Sequence, residues 1–231
     1  MPFAQVCGHT FFHQVLNTNS VIVDLGANHG GFSHSMITRF KCRCLALEAN
    51  PFLCEVIPPD PRLKVLNKAV GAKNGILPFY IHQNHECSSL IPSIEQGPLK
   101  EVAVPVVTLS KLLADEDLVS VSLLKVDIEG TEIDVLGDCP DELLRGIPQI
   151  SVEFHDFNGI VPKYQVKKVV KRMKNLGFQV IRMWARSYGD TLFVNRRMSR
   201  VSTLDLVWSR YAVRGWWWVK NFVARKLARR V

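Results

Sequence analysis

No run of the roughly 18–20 uncharged apolar residues needed to cross a bilayer occurs in this chain, which excludes a transmembrane helix. The first twenty residues do not join a basic start to an apolar stretch, so no secretory signal is expected. Cysteine is present but unorganised. Cys7, Cys42, Cys44, Cys54, Cys87 and Cys139 form no CxxC pair and no framework spacing, and they read as reduced thiols of a cytoplasmic protein. Internal repeats and low-complexity tracts are missing too. With 231 residues, 47% apolar and 22% charged, the chain is too apolar for disorder and suits one domain of ordinary size.

Acidic residues are almost absent from one region. Residues 196–231 hold ten Lys/Arg and a single acid, Asp205, while the preceding 195 residues hold 19 bases and 20 acids. The net charge of +8 therefore belongs to a C-terminal segment, which also carries four of the five tryptophans. A neutral body with a distinct tail follows, not a nucleic-acid-binding domain.

Within the body, apolar runs alternate with helical patterns. Strands are expected at 21–26 (VIVDLG), 43–49, 63–70, 122–127 (SLLKVD), 150–155, 178–183 and 191–194, with helices at 30–40, 51–57, 108–113, 132–136, 141–144 and 165–176. Asn74-Gly75 marks a turn into 76–82, which pairs with 102–107 as a small inserted hairpin. The fold expected is α/β: a mostly parallel, Rossmann-like sheet with helices on both faces. Residues 1–20 are expected as a helical lead-in, 21–197 as the domain and 198–231 as the tail.

Open parallel sheets bind ligands beyond the carboxyl ends of their strands. After the first of these strands comes Asp24-Leu25-Gly26-Ala27-Asn28-His29-Gly30-Gly31. A dinucleotide fold needs a third glycine where Asn28 stands, because backbone must approach a pyrophosphate there. That argues against a nicotinamide-dependent oxidoreductase, the rival reading, and suits a ligand without a diphosphate such as S-adenosylmethionine. Glu48 lies about 20 residues beyond the glycines, where a carboxylate accepts both ribose hydroxyls. A tight turn and a solvated strand-end glutamate are the plain alternatives. Asn67, Ala69 and Val70 follow on the next strand, where apolar atoms can flank an adenine. The cofactor set expected is Asp24, Gly26, Ala27, Asn28, Gly30, Glu48, Ala49, Asn67, Ala69, Val70 and Asp127. Asp127, Glu129 and Glu132 crowd three carboxylates at the next strand end, and Glu153 and His155 share a strand face after that.

The segments VIVDLGANHGGFS, LALEANP, LNKAVG, SSLIPS, VPVVTLSKLL and LLKVDIEGTEIDVL, in this order, resemble the FkbM family of S-adenosylmethionine-dependent methyltransferases over about residues 20–195. The resemblance implies a class I methyltransferase fold and methyl transfer to oxygen, commonly a hydroxyl of a sugar or natural product. It implies cofactor-loop roles for Asp24, Gly26 and Gly30, a ribose-binding role for Glu48, and places Asp127, Glu129, Gly130 and Glu132 in the family's VDIEGxE segment. Residues 28–32 depart slightly from the family's commoner sequence, with the spacing from Asp24 to Gly30 kept.

In-line displacement at a sulfonium methyl asks the protein to align an acceptor oxygen and take up its proton. His155 is the candidate base by intrinsic pKa and Asp127 by position, with Glu129 beside them. The plainer roles are an ammonium ligand for Asp127, a helix cap for Glu132 and a structural histidine for His155; a non-catalytic cofactor- or lipid-binding protein is the third reading of the whole. No metal is expected. His82, His85 and Cys87 lack a second ligand pair, and His9 and His13 share a helix face without a zinc hydrolase's glutamate. An ion held by Asp127 with Glu153 or His155, as in catechol-type methyltransferases, is the alternative.

The tail carries Leu204, Val207, Trp208, Tyr211, Trp218, Phe222 and Val223 at helical spacing, with Arg210, Arg214, Arg225 and Arg229 on another face. Trp216, Trp217 and Trp218 suit a headgroup boundary, so an anionic membrane surface is the expected partner, and packing on the body or on a second subunit the alternative. The full chain should sediment with anionic liposomes and a chain ending at Ser199 should not; equal binding by both would remove the anchor.

Overall fold

The computed structural model describes residues 2–81, 89–90, 100–199, 201–202 and 204–205. Seven strands form the central sheet: β3 (Val21–Leu25), β4 (Arg43–Leu47), β5 (Leu63–Leu66), β9 (Leu123–Val126), β10 (Gln149–Val152), β11 (Phe178–Arg182) and β12 (Thr191–Asn195). Their order is β11-β12-β10-β9-β3-β4-β5. All neighbours pair in parallel except at β12, which runs antiparallel to β10 and β11. The strands read as buried apolar runs because helices cover both faces, as a parallel sheet requires. The α/β architecture expected from the alternating pattern is therefore present.

Local chemistry sets the helix ends. In α2 (Pro51–Val56) Pro51 takes the first position and the Asn50 side chain accepts the Phe52 N–H at 3.1 Å. Thr108 caps α3 (Leu109–Asp115) by accepting the Lys111 N–H at 3.2 Å. The remaining helices are α1 (Gly31–Phe40), α4 (Glu132–Asp138), α5 (Asp141–Arg145) and α6 (Lys163–Asn175). Along α6, Val166, Val169, Val170 and Met173 recur at three- and four-residue steps and are buried against the sheet core, with lysines on the other side.

Two expectations are corrected. The lead-in is not helical: β1 (Phe3–Val6) and β2 (His9–Phe12) form an antiparallel hairpin, followed by a single 3-10 turn. Cys7 and Gly8 both take positive φ, 46° and 82°, as a two-residue hairpin turn requires. Adjacent Phe11 and Phe12 bury in different clusters, one with Phe32 and Met36 of α1, the other with Ile181 and Leu192. That is strand alternation, and His9 and His13 do not share a helix face. The expected strand at 63–70 also divides. Asn67 turns its amide onto the carbonyls of Glu48 and Ala49, and β6 (Ala69–Val70) joins a second sheet of order β6-β8-β7. In that sheet β7 (Gly75–Ile81) and β8 (Lys100–Val107) make the expected inserted hairpin. The tail stripe beyond Leu204, which is exposed, and the His82, His85 and Cys87 group lie outside the described residues.

Chain order reverses between β3 and β9, and the crevice opens at their carboxyl ends. There the backbones nearly touch. Gly26 has φ +77°, and a Cβ on it would lie 1.7 Å from the Asp127 carbonyl oxygen. Gly26→Ala should therefore destabilise the protein by about 2–4 kcal/mol through strain and backbone displacement. Gly137→Ala in α4, where an added Cβ meets nothing within 4 Å, should be neutral or stabilising. Urea unfolding of the two variants checks the contrast.

Candidate active site

A cavity of about 300 Å³ opens at this switch point. Of the residues picked out from sequence, Gly26, Asn28, Glu48, Ala49, Ala69, Val70, Asp127, Glu129 and His155 line it. Asp24, Ala27, Gly30 and Asn67 stand behind its wall. Gly30 caps α1 in the left-handed region, and Asp24 is fully buried with its Oδ2 accepting the Ser33 hydroxyl at 2.7 Å.

One side of the cavity is built around Glu48. Its two carboxylate oxygens accept the backbone N–H groups of Asn28 at 2.7 Å and Asn50 at 2.8 Å. Burial pushes its carboxyl up, and those two N–H groups oppose the rise. A carboxylate so held keeps lone pairs for ribose hydroxyls. Asn28 itself takes φ +52°, and its buried Oδ1 has no hydrogen-bond partner among the described residues. An orphaned acceptor there suits an ammonium or hydroxyl donor. Leu47, Leu53, Ala69 and Val70 supply the apolar wall an adenine needs.

The opposite side is electrostatic. Lys125 is almost fully buried, its ammonium 3.1 Å from Asp24 Oδ1 and 3.4 Å from Asp127 Oδ2, and it also bonds the Gly26 carbonyl. Burial alone would lower the Lys125 pKa, but Asp24 and Asp127 more than reverse that, so it stays charged. Burial likewise works to raise Asp127, yet Lys125, His9 and His155 hold it well below the usual carboxylate range.

His155 sits among three carboxylates. Its Nδ1 donates to Glu132 Oε1 at 2.8 Å, and its Nε2 lies 3.2 Å from Glu129 Oε2 and 3.8 Å from Asp127 Oδ1. Glu132 also accepts the backbone N–H of Gly130 at 3.0 Å, so it is fixed as an acceptor. Burial would lower the imidazole pKa, but Glu129 and Glu132 push it up to about 11. Held in this way, His155 favours its protonated form, and the carboxylates on both ring nitrogens oppose a general-base role. The group suited to that work is Glu153, just past β10 and on the cavity wall. Burial, then the charge of Asp127, raises its carboxyl to about 7.

Sequence reasoning passed over Lys125 and gave Glu153 no catalytic part. A lysine inside the doubly buried run 122–127 was the available signal, since an unpaired charge has no place there. Two triads, His9/Asp127/Glu153 and Asp127/Glu129/His155, bring ligand atoms within 4.8 Å of one another. Lys125 and His155 give that cluster counter-charge, which each also shares with a further carboxylate, Asp24 and Glu132 respectively.

The profile of the Methyltransferase FkbM domain matches residues 24–180. Methyltransferase sdnD of Sordaria araneosa is 27% identical over 203 residues, covering 72% of this chain and 76% of that protein. The 31-O-demethyl-FK506 methyltransferase FkbM of Streptomyces tacrolimicus is 29% identical over 103 residues, 45% of this chain and 36% of its own length. Among solved structures, TrmK of M. capricolum in complex with S-adenosyl-homocysteine aligns over 84% of this chain and 71% of that one, at 9% identity and TM-score 0.44.

The raised His155 pKa has a consequence for stability. An unfolded histidine titrates near 6.5, so the contribution of His155 is full below that pH and is lost as pH climbs toward 11. Between about pH 7 and pH 10 the wild type should lose more unfolding free energy than His155→Gln, as urea titrations at the two pH values will show.

Proposed function

This chain belongs to the FkbM methyltransferase family, and from that premise we propose that it moves a methyl group from S-adenosylmethionine to a hydroxyl oxygen of a carbohydrate or natural product. The observation that carries this reading is the division of one cavity into two halves. Glu48 and Asn28 offer acceptors for a nucleoside amino acid, and Asp127 and Glu153 offer carboxylates to an incoming hydroxyl. The Streptomyces relative is a 31-O-demethyl-FK506 methyltransferase, which supports oxygen as the acceptor here.

Bound S-adenosylmethionine supplies an electrophilic methyl on a positively charged sulfur. The chain's own part is alignment and proton uptake. The acceptor O–H would be shared between ionised Asp127 and Glu153, whose carboxylate oxygens lie within 4.8 Å of one another. Asp127 fixes its direction, and Glu153, the carboxylate of higher proton affinity, would take up that one proton when the bound cofactor gives its methyl to the oxygen. His155 and Lys125 remain charged and keep Asp127 and Glu129 from repelling each other. Phe157 lines the cavity and meets Trp184 with ring centroids 5.5 Å apart, both rings more than two-fifths exposed. The two rings are inclined at 61°, so it is the Phe157 ring on the cavity wall, beside hydrogen-bonding carboxylates, that suits one face of a sugar ring.

Methyl-labelled cofactor, incubated with the protein and fractionated cell extracts, should yield a labelled methyl ether identified by mass spectrometry. Glu48→Ala should weaken cofactor binding at least about tenfold in calorimetry, the loss of paired hydroxyl contacts. Transfer should rise with pH through about 7, as Glu153 loses its proton. A labelled amine or carboxylate product, or a rate flat across that range, would overturn the corresponding assignment.

A further inference from the structure

The N-terminal hairpin reaches the site. His9, at the start of β2, is 1% exposed, with Nε2 3.4 Å from Asp127 Oδ2 and Nδ1 3.4 Å from Ser151 Oγ. Its ring sits edge-on to Phe32 at 5.7 Å. Because ionised Asp127 can only accept, Nε2 carries the proton, and Nδ1 pairs with the Ser151 hydroxyl. The two oxygens of Asp127 are thereby distinguished: Oδ2 faces inward to Lys125 and His9, while Oδ1 faces His155.

A latch holds the hairpin in this place. Buried Asp190 accepts from the Thr10 hydroxyl at 2.6 Å, the Thr10 N–H at 3.2 Å and the Gln5 amide at 2.8 Å. Gln149 and the Phe12 backbone exchange two more bonds, at 2.9 and 3.1 Å. His9, Gln5, Thr10 and Asp190 all lie outside the residues 24–180 that match the family.

We propose that His9 is a positioning residue for methyl transfer: it fixes the plane of the Asp127 carboxylate so that Oδ1 is presented to the acceptor hydroxyl. Lys125 alone is a point charge, which attracts Oδ2 without fixing rotation about the Cβ–Cγ bond. A second donor from another strand removes that rotation, and misorientation of a reacting group by a fraction of an ångström slows transfer steeply. The inference rests on the O-methyl-transfer reading, but the Nε2–H donor it requires is observable without an acceptor.

The test uses the full chain carrying His9→Leu or His9→Gln, assayed on the extract fraction that the wild type methylates. His9→Leu should lower kcat at least about tenfold and leave the KM for S-adenosylmethionine within about twofold. His9→Gln, whose amide N–H can replace the ring N–H, should stay within about threefold of wild type. An unchanged kcat in His9→Leu, equal losses in both variants, or a parallel rise in cofactor KM overturns the proposal. Nitrogen-15 NMR of the histidine rings in wild type gives the second measurement: His9 should show a protonated Nε2, and a bare Nε2 overturns the proposal even if His9→Leu does not fold. Absence of methyl transfer in the wild type would count against the functional reading, while the NMR outcome would still decide whether His9 holds Asp127.

Discussion

The ammonium of Lys125 ties the two strands of the switch point into one site. Asp24 and Lys125 are register partners on adjacent parallel strands, so the salt bridge forms within the ladder and does not depend on loop conformation. The same ammonium bonds the Gly26 carbonyl on one side and Asp127 on the other. A buried ion pair adds little stability over an apolar replacement, but losing one partner leaves an uncompensated charge in the core. Its value here is positional. Gly26 has no side chain because the Asp127 backbone occupies that space, and Asp127 is ionised because Lys125 is held beneath it.

From that contact the rest of the electrostatics can be ordered. Four carboxylates, on Asp127, Glu129, Glu132 and Glu153, gather at the carboxyl ends of β9 and β10. Lys125 and protonated His155 neutralise two of them, and backbone N–H groups assist Glu132. Glu153 is the member whose proton affinity is pushed up to near neutrality, by burial and by its ionised neighbour Asp127. One cluster thus contains a fixed anion, a fixed cation and a group able to exchange a proton, and environments that separate the titrations in this way divide acid–base roles among similar side chains.

Much of the fold was legible because it is written in local chemistry. Pro51 after Asn50, the Asn74-Gly75 turn and the apolar runs at 21–25 and 123–126 each have a near-neighbour cause. That Gly26, Asn28 and Glu48 meet at one cavity was legible too, since they follow from strand-end spacing. What was not legible depends on distant pairing. His155 bonds Glu132, 23 residues away, and this contact and Glu129 raise its pKa, which its intrinsic value does not foretell. The hairpin was misread because His9 and His13 fall at a helical interval, while the Cys7-Gly8 turn that decides the matter is a weak signal. Lys125 looked like an ordinary strand residue until Asp24 was placed beside it.

The position of the hairpin bears on what counts as the unit of function. The matched family segment begins at residue 24, within β3, and stops at 180, within β11. It therefore omits β12, which fills the sheet between β10 and β11, and the hairpin that packs behind it. Asp190, at the entrance to β12, is buried and its carboxyl is raised by that burial; the Thr10 and Gln5 donors oppose the rise and keep the ionised form accessible. The latch is thus coupled across the sequence: β12 provides the acceptor, the first ten residues provide the donors, and neither is satisfied without the other. Phe12, seated against Ile181, Leu192 and Val194, adds apolar burial to the same joint. His9 therefore reaches Asp127 from a hairpin that β12 holds in place, so the contact at the site depends on residues on both sides of the matched segment.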